Sequence, residues 1–228
     1  MKRCLLLVFC IGILNYAFAQ KSESLSISQS ALQAAMDQID IKANRLCGYI
    51  TEIGSSRSKL TLEEKDDIVY RKVPHLFWMY KEAPRYMTTS SGPGGLTIRR
   101  KPMYEYFVAL KRQSITPFNK EVRYELLYDK VYSEENMKNL DSWERCEDED
   151  YDNCQVWRQK IRFVQTYYVI NYNLSNDLFE IKSAQQIIKT EVDNKYLYVY
   201  LIIRKTDGKK IARIGDVCMV ERLRTQNL

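Results

Sequence analysis

The stretch VWRQKIRFVQTYYVINY at positions 156–172 decides the fold class. Trp157, Ile161, Phe163, Tyr167 and Val169 fall on one side of it, and Arg158, Lys160 and Arg162 on the other. A period of two held over this length predicts a long β-strand with one dry face and one wet face. Its neighbours downstream of Pro117 read alike. Residues 121–132 alternate with Val122, Tyr124, Leu126 and Tyr128 on one side. Residues 196–204 are nearly all apolar and β-prone, which places that strand centrally with both faces covered. Thr206-Asp207-Gly208-Lys209 is a hairpin signal, after which residues 210–222 return as the last strand. Residues 178–190 form a weaker strand whose apolar phase slips, predicting a bulge near Ser183 and Ala184.

Upstream the period changes to that of helices. Ser26 and Gln29 make a capping box, and Leu32, Met36, Ile39, Ala43, Leu46, Ile50 and Ile53 follow as an apolar stripe that Gly54 ends. Three heptads of so narrow a seam fit a coiled-coil dimer face, but the flanking charges are sparse, and packing along a sheet is the plainer reading. Thr61 with Glu64 opens a second helix whose buried face is Ile68, Val69, Val73, Leu76, Phe77 and Tyr80. Pro74 must kink or restart it. A Gly/Pro-rich turn at 90–95 separates two short extended pieces, 85–89 and 96–100. Pro102 then starts a short helix with Met103, Tyr106, Phe107 and Leu110 on one face. Helices gathered ahead of an antiparallel sheet predict an α+β fold.

The 228 residues are 45% hydrophobic and 28% charged with 8 Gly and 5 Pro, a balance that excludes disorder and low-complexity scaffolds. Residues 1–19 read as a secretory signal peptide: Lys2 and Arg3, a short apolar run at 5–14, then Ala17-Phe18-Ala19 as the cleavage signal. Cys10 as a lipoprotein cysteine is the rival reading, weakened by the bulky Phe9 before it. Residues 20–228 then form one domain, secreted or periplasmic, with no later segment apolar enough for stable membrane insertion. Cleavage removes two of the 35 basic residues and none of the 29 acidic ones, lowering the net charge from +6 to +4. That is too weak and too dispersed for nucleic acid. Four cysteines remain, which an export compartment would pair. Cys146 with Cys154 is the local choice, leaving Cys47 with Cys218, although three pairings exist.

The order helix, helix, short β pair, the Tyr104-Glu105-Tyr106-Phe107 helix and four long strands resembles the NTF2-like superfamily. The resemblance spans about residues 25–223, and the insert at 133–154 is longer than that fold needs. It implies a curved antiparallel sheet wrapped as a cone around N-terminal helices. A pocket between helices and sheet follows from it, with some members acting as isomerases or dehydratases and many binding ligands or dimerising through the sheet. The candidate aromatic lining is Tyr106, Phe107, Tyr124, Phe163, Tyr167 and Tyr198, with Tyr200 as a further strand tyrosine.

Catalytic candidates are few. His75 is the sole histidine and has no carboxylate or hydroxyl neighbour in sequence to fix its tautomer. Asp216, after Gly215, is either a buried base working with Tyr198 or a bulge-side residue capping backbone. Six carboxylates crowd residues 144–152. Glu147, Asp148, Asp150 and Asp152 are the candidate calcium ligands, although the spacing matches no EF-hand and a solvated, self-repelling loop is the plainer reading. No phosphate-binding glycine loop, GxSxG elbow or HExxH is present, and no cofactor is implied. Asn173-Leu174-Ser175 fits a glycosylation acceptor. The expected role is non-enzymatic binding, of a small apolar ligand in the cone or of a protein partner on the sheet. A lyase or isomerase and a structural homodimer are the alternatives.

Overall fold

The computed structural model describes residues 25–55, 58–79, 84–91, 97–115, 120–127, 139–151, 153–173 and 184–227. Helix α1 spans Gln29–Gly54, two residues later than its capping box predicts, because Ser28 takes the N-cap and its hydroxyl accepts from Ala31 N. All seven stripe residues are buried in one cluster with the sheet. Each of the six larger ones contributes roughly 1.5–3 kcal/mol if fully buried. The seam is therefore the chain's own core and is not available as a dimer face.

Helix α2, Leu62–Asp67, begins at the predicted capping box, Thr61 and Glu64 satisfying each other's backbone N–H groups. The chain then loosens into a π turn at Ile68–Lys72 and tightens into a 3-10 turn at Val73–Leu76, which holds Pro74. Lys65 is buried and donates to Ile53 O and Ser55 O at 3.2 Å and to Ser114 Oγ at 2.9 Å. It thus closes the carboxyl end of α1 with a positive charge, where the helix dipole favours one.

The strands are β1 (Tyr86–Ser91), β2 (Thr97–Pro102), β3 (Lys120–Leu127), β4 (Glu144–Arg145), β5 (Cys154–Asn173), β6 (Ala184–Arg204) and β7 (Lys210–Asn227), with helix α3 (Met103–Ile115) after β2. Their order is β2-β1-β7-β6-β5-β3, with β4 also against β5. The fold is α+β, and the central place predicted for residues 196–204 is found. Two expectations need correction. The sheet is mixed, because the chain runs beside β7 in the same direction at Phe77↔Ile214 and again at Met87↔Val217. The phase slip in β6 lies at Ile188: Val169 pairs with Lys189 and Ile170 with Ile187, leaving Ile188 extra. Ser183 falls outside the described residues.

Strand β7 carries more register shifts. Val199 pairs with Ile214 but Leu197 with Val217, so Gly215 and Asp216 together oppose Tyr198. A Cβ on Gly215 would stand 2.3 Å from Tyr200 Cε2, so only glycine lets β7 approach that ring.

Candidate functional site

Alternation sorts the side chains of β5 and β6 onto two faces. Trp157, Ile161, Phe163, Leu197, Val199 and Leu201 join the helices in the main core. The opposite, open face carries Arg158, Lys160 and Arg162 on β5, each directly across from Tyr200, Tyr198 and Tyr196 on β6. The result is a ladder of cations and aromatic rings. Arg158 lies 5.3 Å from the Tyr198 ring centre, and Lys160 Nζ lies 3.9 Å from that of Tyr196 and 6.0 Å from that of Tyr198. Such contacts orient the cation over the ring face.

The acidic segment folds onto one end of this face. Strand β4 pairs with β5 at Glu144↔Arg158 and Arg145↔Trp157, and a 3-10 turn follows at Glu147–Glu149. Three of its carboxylates meet arginines. Glu144 accepts from Arg158 at 2.9 Å, Glu149 accepts from Arg85 at 3.1 Å, and Asp150 is paired with Arg145. Burial disfavours the Asp150 charge, but the Arg145 hydrogen bond and the Val156 backbone N–H outweigh it and hold the carboxyl below its usual value. Arginines thus match three of the loop's described carboxylates. Glu147 and Asp148 are exposed, Asp152 lies outside the described residues, and no metal-ligating group is found among those described.

Arg85 ties this loop to the sheet. Its guanidinium donates to Trp78 O, to Tyr200 Oη at 3.1 Å and to Glu149 Oε2 at 3.1 Å, and it sits 4.7 Å from the Tyr200 ring centre. Trp78 Nε1 donates to the same Glu149 oxygen at 2.7 Å. Burial raises the Tyr200 pKa, with the positive charges of Arg85 and Arg158 opposing it. Beside the loop a groove of about 440 Å³ opens, lined by Ser142, Glu144, Arg158, Gln159, Lys160 and Tyr198.

Among the described residues, the expected aromatic lining is not brought to one place. Phe107 and Phe163 are core residues, Tyr106 is partly buried against Phe107 in an edge-on contact, and Tyr198 stands on the other side of the sheet. Tyr124 pairs with Tyr167 across β3 and β5, but their side chains fall outside the description. Asp216 is on the open side, where Oδ1 accepts from Tyr86 N at 3.0 Å and Oδ2 from Arg100 at 2.7 Å. It anchors the β1–β2 hairpin to β7, as the backbone-capping reading expects. His75 is exposed on the 3-10 turn.

The four cysteines among the described residues are thiols in this structure, and neither expected bridge is formed. Cys47 lies on α1 against the helix-facing side, near Lys195, while Cys218 pairs with Tyr196 and so points to the open side. The sheet separates them. Cys146 and Cys154 do share a buried cluster with Trp78 and Val156. Cys146 N donates to Val156 O, which puts Cys154 on the diagonal. Burial pushes the Cys47 thiol up to about 12 and that of Cys146 up to about 11.

Arg85 and Trp78 are the site residues that sequence patterns do not expose, since both sit in irregular chain between elements. The ladder was legible in principle: R-x-K-x-R at 158–162 and Y-x-Y-x-Y at 196–200 lie on adjacent strands with one period. Comparison with protein-family models, with curated proteins and with solved structures finds no match to this chain.

Proposed function

We propose that this chain is a non-enzymatic binding protein that engages a protein partner through the open face of its sheet. The observation that carries this reading is the Lys160–Tyr196–Tyr198 patch, in which an exposed lysine and two half-buried tyrosines stand together beside a groove. Aromatic residues set in a polar rim are the composition favoured in interface centres. On the other side of the sheet, Phe107, Phe163 and Trp157 fill the space against the helices, which turns the weight away from a ligand in a cone. The NTF2-like arrangement stays within this proposal as the architecture that would use its sheet for association. So does export, on the reading of residues 1–19.

The lyase or isomerase alternative needs Asp216 as a free base. Both its oxygens are taken by Tyr86 and Arg100, and its neighbour Tyr198 faces outward with it.

Native mass spectrometry of the unreduced protein, purified from its own secreted or envelope fraction, tests the reading. A complex with a second protein is expected for the wild type and is expected to be lost on Tyr198→Ala. A bare chain, or a complex indifferent to Tyr198→Ala, would overturn it. An added mass of a few hundred daltons that survives the substitution would overturn it too, in favour of an enclosed ligand.

A further inference from the structure

The cations around the groove differ in one respect. Arg85 has Glu149, Arg100 has Asp216, Arg145 has Asp150 and Arg158 has Glu144. Lys160, exposed on the groove wall, meets two tyrosine rings and no carboxylate among the described residues. Ring faces orient an ammonium but do not neutralise it, so its charge remains available.

We propose that the partner inserts an acidic side chain, Asp or Glu, into this groove, its carboxylate pairing with Lys160 Nζ beside Tyr196 and Tyr198. The inference rests on the sheet-face reading above and names the chemistry of that partner. A carboxylate fits better than the other anions. Nucleic acid needs a row of unmatched cations, and the arginines next to this groove, Arg85, Arg145 and Arg158, are each matched by a carboxylate. Phosphate favours a free bidentate arginine, and the Arg158 fork is engaged by Glu144.

The test titrates a blocked tetraglutamate peptide into the full chain, followed by chemical shifts, with blocked tetralysine and inorganic phosphate as controls. Saturable shifts confined to Lys160, Tyr196 and Tyr198 are expected, fading in high salt. Lys160→Gln, an exposed change that removes the charge, is expected to weaken the peptide about three- to fivefold, the scale of an exposed ion pair. Absence of saturation, an unchanged affinity in Lys160→Gln, or equal binding of tetralysine would overturn the proposal. Phosphate binding as tightly as the peptide would also overturn it, by showing a site for free anions. The two readings fail separately. A native complex that is lost on Tyr198→Ala but untouched by Lys160→Gln would refute the acidic contact alone. One that is indifferent to both would refute the sheet face as well.

Discussion

Removing Arg85 should release the acidic loop from the sheet. In Arg85→Met the side-chain volume is kept, so little cavity cost enters, but Trp78 O, Tyr200 Oη and Glu149 each lose a donor. Arg85 is 10% exposed at its side chain and Glu149 16%, so the pair is largely dehydrated. Breaking a fully buried pair from one side costs about 3–5 kcal/mol, and the exposed fraction here lowers the expectation to about 2–4 kcal/mol. Glu149→Gln keeps an acceptor for Trp78 Nε1 and should cost only about 1–2 kcal/mol. Because the two residues touch, the double variant should lose less than the sum, with a coupling of about 1–2 kcal/mol. Urea denaturation followed by tryptophan fluorescence reads all four corners of the cycle, and Trp78 reports locally because it binds the same Glu149 oxygen. In a thermal scan the Arg85 variant should melt about 5–15 °C lower. A coupling below about 0.5 kcal/mol would refute the reasoning, because it would mean that the loop is held without this pair.

Other consequences are as direct. Gly215→Ala drives a methyl into the Tyr200 ring and should cost about 1–3 kcal/mol by denaturation; an unchanged midpoint would show that the ring yields freely. Asp150 has a lowered folded-state pKa, so its contribution is present above the usual 3.8 and is lost as the pH falls through the folded value. The melting temperatures of wild type and Asp150→Asn should therefore differ at pH 6 and converge toward pH 2. Lys65→Met strips the end of α1 of its cationic cap and should cost about 2–3 kcal/mol in chemical denaturation, a loss that a neutral surface control such as Glu63→Gln should not show. Peptide mapping without reduction should find no link between Cys47 and Cys218, since recovery of that link would contradict their places on opposite sides of the sheet.

What the sequence discloses follows from which interactions are local. The α1 stripe, the Thr61–Glu64 box, the break at Pro74 and the two faces of β5 are periodic or capping features set by near neighbours, and the structure has them. The parallel contact of β1 with β7 joins residues 130 apart, and no local pattern encodes it. The acidic run looks repulsive when read alone, because its arginines arrive from β5, from β4 and from the chain before β1. Cys47 and Cys218 end apart for a related reason: spacing along the chain does not say on which side of the sheet a thiol emerges. The aromatic set divides likewise, with Phe163 and Tyr198 on strands whose faces could be ordered but not joined.

The bulge at Gly215 and Asp216 works like a frameshift in a reading frame. Before it, even-numbered residues of β7, Ala212 and Ile214, face the core; after it, the odd-numbered Val217 does. Val217 and Cys218 owe their sides of the sheet to that one inserted position. Straightening the strand there without changing its length would turn Val217 outward and bring Cys218 beneath the helices, whereas loss of one bulge residue would leave a plain ladder with both on their present sides. The bulge thus sets which face a side chain meets, and a shorter strand would keep the faces while losing the bend.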